Sequence, residues 1–240
     1  MSLVVVIPAY NAAGHIEALI ARVAAVPGIA PSRIVVVDDG STDGTRRAAR
    51  SAAAEHPAVH LLDRPRNGGY GAAMKDGLAC ALTMGPDVVA CVHADGQYSP
   101  EALPSLLAEM RARRLDVLQG SRIASGTALS GGMPLYKYVA NAVLNRIENR
   151  TFELSMTDYH SGYLLYGRAA LEALPFRTFS DSFDFDLEVI ASARARRLAV
   201  GEAPVPTHYG DEISHLNPIS YGLSVLKVVW KYRRGHYAPA

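Results

Sequence analysis

Two cysteines, one tryptophan and an almost exact balance of charge are the first scarcities of this 240-residue chain. Cys80 and Cys91 lack CxxC spacing, which speaks against a disulfide framework or a zinc site and suits core thiols in a reducing compartment. Lys plus Arg number 24 against 23 Asp plus Glu, so no global excess of charge draws the chain to nucleic acid; any charge-driven binding must be local. Long apolar runs are missing too. Leu3 to Ile7, Ile34 to Val37 and Val88 to Val92 fall far short of the roughly 18–20 residues that span a bilayer. No basic stretch or small-residue cleavage site accompanies the first apolar run, so no secretory signal is expected and the expected compartment is the cytoplasm. The first turn reads AYNAAGH instead of GxGxxG, and Walker A is absent, which argues against a nicotinamide enzyme and a P-loop ATPase.

With 49% hydrophobic and 20% charged residues, the chain is globular and large enough for one large α/β domain or two small ones. Short β-rich runs alternate with Ala-rich helical patterns in the first half, the signature of βαβ units. Strands are expected at Leu3 to Ile7, Ile34 to Val37, Val59 to Asp63, Val88 to Val92 and Val117 to Gly120. Helical spacing falls at Gly14 to Val26, Thr45 to Glu55, Gly71 to Met84 and Pro100 to Arg113. From Ile123 the pattern changes. A loop from Ser125 to Gly132 leads to helices at Leu135 to Glu148, Arg168 to Leu174 and Phe185 to Arg197, and to a strand at Val200 to Pro204. In the tail, Tyr221 to Arg234, helical spacing puts Lys227, Lys231 and Arg234 on one face and Val225, Val228, Val229 and Trp230 on the other. Such a face either packs on the domain or a second subunit, or meets an anionic membrane surface.

Open α/β sheets bind ligands at the carboxyl ends of their strands, and here those ends are polar. The first strand is followed by Pro8-Ala9-Tyr10-Asn11, the second by Asp38-Asp39-Gly40-Ser41, the fourth by His93-Ala94-Asp95-Gly96-Gln97. If the fourth strand runs on, His93 and Asp95 share a side and can face one divalent ion, with Gln97 as a third donor. Open positions for phosphate oxygens suit Mg²⁺ or Mn²⁺, and an imidazole leans toward Mn²⁺. Taken alone, Asp95-Gly96 reads more simply as a turn and His93 as a hydrogen-bonded strand-end residue. Asp38 or Asp39 can accept from a base or ribose, whereas Asp43 suits a helix cap. Gly68, Gly69 and Gly71 allow either a close phosphate or a tight turn before a helix.

Taken in order, VVVIPAYN, IVVVDDGSTDGT, RNGGYGAAMKDGL, HADGQYSPEALPSLL and GSR at Gly120 to Arg122 resemble the inverting family 2 glycosyltransferases of GT-A fold, and among them the polyprenol-phosphate sugar synthases of the dolichyl-phosphate mannose synthase type. The likeness is good over the first 125 residues or so and looser beyond, through DYHSGY, FDFDLE and GEAPVP. It implies a single α/β GT-A domain, 1–240, with a mostly parallel sheet. Residues 1–122 would bind the nucleotide sugar, 123–212 face the acceptor, and 213–240 form the amphipathic tail. Pro8, Ala9, Tyr10, Asn11, Asp38, Asp39, Gly69, Asp95 and Arg122 would bind a UDP- or GDP-sugar donor. His93, Asp95 and Gln97 stand at the family's DxD-type metal site, usually DADxQ, with His93 replacing its first aspartate and Mn²⁺ or Mg²⁺ as the ion. Ala12 and Ala13 replace acidic residues that many relatives carry. Arg122 would offer a bidentate cation to phosphate.

The implied acceptor is a polyprenyl phosphate or a hydroxyl on a glycan, lipid or small molecule; only the hydroxyl needs a general base. Candidate bases are Asp186 and Glu188, with Asp158 and Asp184 behind them; helix N-terminal charge is the competing role. His208 and His215 lie where the synthases carry a mobile loop that closes over phosphate. Peripheral contact with the inner face of a membrane and a homodimer are compatible with the pattern. A non-catalytic nucleotide-sugar-binding protein on the same fold is the rival.

Overall fold

The computed structural model describes residues 2–27, 33–126, 129, 132–206 and 218–239. Runs such as LVVVIPA and RIVVVD are apolar on consecutive residues because both faces of their strands are covered, as in parallel sheets between helical layers. The strands are β1 (Leu3–Ala9), β2 (Arg33–Asp38), β3 (Val59–Asp63), β4 (Val88–Cys91), β5 (Val117–Ser121), β6 (Leu164–Gly167) and β7 (Val200–Pro204). They form one seven-stranded sheet in the order β3-β2-β1-β4-β6-β5-β7. β1 to β4 pair in parallel and β5 pairs in parallel with β7, while β6 runs antiparallel to both β4 and β5.

Among the described residues eight α-helices cover the sheet: α1 (Ile16–Ala24), α2 (Thr45–Glu55), α3 (Tyr70–Thr83), α4 (Leu103–Ala112), α5 (Leu135–Phe152), α6 (Arg168–Ala173), α7 (Phe185–Ala195) and α8 (Pro218–Arg233). The two-residue period of the strands divides the core. Leu3, Val5, Ile7, Ile34 and Val36 face α1, α2 and α4, while Val4, Val6, Val35 and Val37 face α3, α7 and α8. Among the described residues no helix is long and apolar enough to cross a membrane.

Three expectations change. β6 has no counterpart among the expected strands, since four residues of LLYG become a strand only through their two neighbours. Pro100–Ala102 forms a 3₁₀ turn before α4, because Pro104 restricts the residue before it and starts a new helix. In the tail helix Val225, Val228 and Val229 are buried against the domain, but Trp230 is 58% exposed. The apolar face is therefore narrower than the spacing suggested.

α3 lies so close to β1 that its Gly77 has no room for a side chain. A Cβ there would sit 2.4 Å from Val6 Cγ1 and 3.1 Å from Val37 Cγ2. Gly77→Ala is expected to cost about 1–3 kcal/mol despite Ala's better helix propensity, because two β-branched core residues must move. Urea unfolding measures it; an equal or higher midpoint would show that the helix shifts at no cost.

Candidate active site

The carboxyl ends of β1 and β2 are stitched together by short polar side chains. Asn11 adopts φ 51°, a left-handed conformation that Asn tolerates well. Its Oδ1 accepts the Thr42 N–H at 2.9 Å, and its own N–H donates to Ser41 Oγ at 3.0 Å. Pro8 and Ala9 end β1, and Tyr10 stands 43% exposed just beyond. Asp43 accepts the N–H groups of Thr45, the first residue of α2, and of Ala13 on the neighbouring turn.

The two aspartates after β2 diverge. Asp38 is buried, accepts the Ser41 N–H at 3.2 Å and pairs with Arg46 Nε at 3.0 Å, so its carboxylate braces the β2–α2 turn. Asp39 accepts from Gly68 N–H at 3.0 Å, Gly69 N–H at 2.9 Å and the Arg64 guanidinium. It fastens the turn that enters α3. The glycines of that turn face the chain itself: a Cβ on Gly69 would lie 2.4 Å from Asp181 O, and one on Gly71 2.2 Å from Ser180 O. Their smallness admits the 180–181 backbone, whose Asp181 carbonyl accepts the Gly71 N–H at 2.8 Å. The close-phosphate expectation for Gly69 thus meets a crevice occupied by protein, and its N–H is already engaged.

One turn into α3's side of the crevice is a buried carboxyl. Asp186, the second residue of α7, is 6% exposed and accepts from Tyr70 Oη at 2.8 Å and Tyr166 Oη at 3.4 Å. Burial pushes its carboxyl up to about 7, although both tyrosine hydroxyls pull the other way. Asp184 precedes α7 in helical conformation and accepts from Ser180 Oγ at 2.7 Å, so Asp184 and Asp186 do not share an extended face.

His93 points inward. β4 ends at Cys91, so the strand on which the spacing argument for His93 and Asp95 relied does not extend to them. The imidazole Nε2 lies 3.3 Å from Tyr70 Oη, and the two rings are 5.1 Å apart. The ring fills the place of a missing side chain at Gly162, where a Cβ would lie 2.5 Å from His93 Cε1. Burial lowers its pKa below the ordinary imidazole value, with Asp95 opposing, and favours the neutral ring.

Asp95 Oδ1 accepts the Gln97 N–H at 3.0 Å across a turn in which Gly96 takes φ +73°. No hydrogen bond to Asp95 Oδ2 is found among the described residues, and no three His, Cys, Asp or Glu side chains converge among them. Asp95 and Gln97 are hard oxygen donors that fit Mg²⁺ or Mn²⁺ when phosphate oxygens and water complete the sphere. His93 Nε2 faces Tyr70 Oη.

Arg122 and Asp158 form a closed fork, Nε to Oδ2 at 2.7 Å and Nη2 to Oδ1 at 3.0 Å. Asp158 is fully buried; burial raises its pKa, but the guanidinium and the His160 N–H outweigh that and hold it below the ordinary carboxylate range. Glu188 is also committed, to Lys231 Nζ at 2.7 Å, Tyr237 Oη at 2.6 Å and the Ser180 N–H at 2.6 Å. Against its burial, these three donors keep Glu188 below its ordinary value, and they tie α7 to α8. Both carboxylates bind other parts of the protein and neither resembles an available base. His208 and His215 lie outside the described residues.

Sequence reasoning missed Tyr70, Tyr166 and a buried set around His160. His160 Nδ1 is 2.9 Å from Tyr221 Oη, and its Nε2 is 3.2 Å from Glu148 Oε2. Tyr70 lies 116 positions from Asp186, a separation no local pattern reveals.

The model of "Glycosyl transferase family 2" matches residues 4–174. The undecaprenyl-phosphate mannosyltransferase of Micrococcus luteus is 33% identical over 209 residues, covering 86% of this chain and 82% of that protein. The polyprenol monophosphomannose synthase of Mycolicibacterium smegmatis is 31% identical over 204 residues, 84% and 75% of the two chains. Glucosyl-3-phosphoglycerate synthase of Mycobacterium tuberculosis, solved with Mn²⁺, UDP and phosphoglyceric acid, superposes with a TM-score of 0.70 at 18% identity, over 100% of this chain and 80% of that one. That structure shares the fold. By its family match and its relatives, the chain belongs to glycosyl transferase family 2 and is a glycosyltransferase of GT-A fold.

Proposed function

We propose that the chain transfers a hexose from a UDP- or GDP-sugar to a polyprenyl phosphate, with inversion at the anomeric carbon. The supporting observation is the continuous path Asp39–Gly69–Tyr70–Asp186, with His93 and Asp95 beside it, along the strand ends where this fold class binds ligands. The acceptor class follows the polyprenol-phosphate relatives. Pro8, Ala9, Tyr10, Asn11 and Asp39 line the nucleoside end. Asp95 and Gln97 face the diphosphate and would hold a divalent ion, whose chemistry there is neutralisation of the charge on the departing nucleoside diphosphate. Arg122 adds positive charge to that wall while Asp158 fixes its orientation. His93 supports Tyr70 and leaves the metal to the oxygen donors.

In the transfer, the bond from the anomeric carbon to the diphosphate oxygen breaks as an acceptor oxygen bonds to the opposite face. A phosphate monoester is ionised at neutral pH, with its second pKa near about 6, so no base is needed. Tyr70 and Asp186 then shape the sugar's surroundings. A hydroxyl acceptor is the second possibility. It is favoured by the Asp186 carboxyl at about 7, a value suited to general-base catalysis.

Calorimetric titration with UDP, GDP and their sugars, with and without Mn²⁺, tests the donor assignment, and transfer of labelled sugar to undecaprenyl phosphate tests the acceptor. Asp95→Asn is expected to weaken the Mn²⁺-dependent part of nucleotide binding about tenfold or more, the loss of a charged ligand, whereas His93→Asn changes it by less than about threefold. The reverse ranking would return His93 to the metal.

A further inference from the structure

Among the described residues, five buried side-chain atoms have no hydrogen-bond partner: Gln119 Oε1, Asn145 Oδ1, both oxygens of Glu148 and His160 Nε2. All five belong to one neighbourhood. Gln119 Nε2 donates to Ser161 Oγ at 2.6 Å, the Asn145 carboxamide donates to the Thr157 carbonyl, and Glu148 Oε2 stands 3.2 Å from His160 Nε2. Each therefore lies against the turn 157–161 between α5 and β6. A buried polar atom without a partner costs stability, and a buried carboxylate beside an imidazole can often be exchanged for apolar side chains without loss. Their concentration at one turn points to a role other than stability.

His160 joins that turn to two helices. Its Nδ1 is 2.9 Å from Tyr221 Oη, in the first turn of α8, and its Nε2 faces the Glu148 carboxylate of α5, out of line for a hydrogen bond. Burial pushes the Tyr221 phenol well above its ordinary value, with Glu148, Asp186 and Asp158 adding and Arg122 opposing, so the hydroxyl keeps its proton and donates it to Nδ1. The ring proton then sits on Nε2, toward the carboxylate. The imidazole is fixed from both sides, and its backbone acts on the site. The His160 N–H donates at 2.9 Å to Asp158 Oδ1, the same oxygen that takes Arg122 Nη2 at 3.0 Å. Where His160 is held thus sets the rotation of the Asp158 carboxylate and the plane of the guanidinium. The start of the turn is fastened separately, by Asn149 at Met156 and by Glu202 at Thr157 and Asp158, so a change at the imidazole spares the turn but not that rotation.

Resting on the reading that Arg122 faces the donor's diphosphate, we propose that His160 is a positioning residue: braced by Glu148 and Tyr221, it sets the Asp158–Arg122 fork at the angle that meets the diphosphate. The full-length protein is titrated with UDP and UMP, and with GDP and GMP, in the presence of Mn²⁺. Tyr221→Phe removes one hydrogen bond and keeps the ring; it should lower affinity for the diphosphate about three- to tenfold and leave that for the monophosphate unchanged. His160→Phe should lower it further. A merely structural role would weaken both nucleotides alike. In an Arg122→Gln background, Tyr221→Phe should have no additional effect on the diphosphate, because both act through one guanidinium. Thermal melts accompany each variant, and where His160→Phe does not fold, Tyr221→Phe and Glu148→Gln carry the test. Suppose Arg122→Gln selectively weakens the diphosphate: equal losses for both nucleotides in Tyr221→Phe, or additive losses in the double variant, then overturn the positioning role and leave the donor reading standing. If Arg122→Gln spares the diphosphate, or no nucleotide binds, the donor reading falls and the positioning role with it.

Discussion

Asp186→Asn is expected to make the protein more stable at pH 8 while leaving transfer to polyprenyl phosphate within about tenfold of the wild type. The carboxyl sits at about 7 in the fold against an ordinary 3.8, so between these values the folded state binds a proton that the unfolded state has released. Stability therefore falls as pH rises through this window and stays low above it, where a buried anion faces only two tyrosine hydroxyls. At 1.36 kcal/mol per unit the penalty has an upper bound of about 4 kcal/mol, and the amide's own desolvation leaves on the order of 2 kcal/mol to be regained. For a domain of this size that is a rise of roughly 4–8 °C in Tm at pH 8, shrinking toward pH 5. The carboxamide Oδ1 can still accept from Tyr70. A native-like Tm difference at pH 8 and pH 5 would show that Asp186 is not held near 7. The kinetic half of the experiment separates the acceptor classes: a loss of about 10²–10⁴ in turnover with donor binding intact would make Asp186 a general base and the acceptor a hydroxyl.

What the sequence discloses of this fold is what burial on both faces writes locally. Thr45 to Glu55 and Val200 to Pro204 coincide with α2 and β7, and Ile34 to Val37 lies inside β2, because each is set by its own apolar spacing. β6 escapes since its strand character comes from β4 and β5, elements distant in the chain. The site divides in the same way. That polar residues follow β1, β2 and β4 is visible in the sequence, and the glycines before α3 announce a close approach. What approaches is not visible: it is the backbone of residues 180–181, more than 100 positions later. Likewise the acidic residues of FDFDLE look alike in sequence. The structure separates them by their partners, tyrosines for Asp186, a serine hydroxyl for Asp184, and Lys231 with Tyr237 for Glu188. A carboxylate's chemistry is decided by those partners.

The second large effect belongs to Asp158. Asp158→Ala removes a fully buried carboxylate and with it the two bonds that the Arg122 guanidinium, 12% exposed, makes to it through Nε and Nη2. Breaking one side of such a pair costs about 3–5 kcal/mol, because the remaining charge stays desolvated. Asp158→Asn keeps the shape but not the charge and should fall between that variant and the wild type. Asp158 also accepts the His160 N–H at 2.9 Å, so the loss should loosen the turn that carries His160 toward Tyr221 on α8. The pH dependence has the opposite sign to that of Asp186. Since the folded Asp158 pKa is depressed, its stabilisation is complete above the ordinary carboxylate value and is lost as pH falls below about 4 through the folded value. Wild-type stability should therefore drop steeply in that acid range, and Asp158→Asn should show a shallower drop from a lower starting point. Nucleotide binding gives the functional measure: with Arg122 no longer held, UDP affinity should decline even under conditions where Asp158→Asn remains fully folded. A variant that keeps wild-type UDP affinity would show that Arg122 contributes to the fold alone and that the donor's diphosphate is met by other residues.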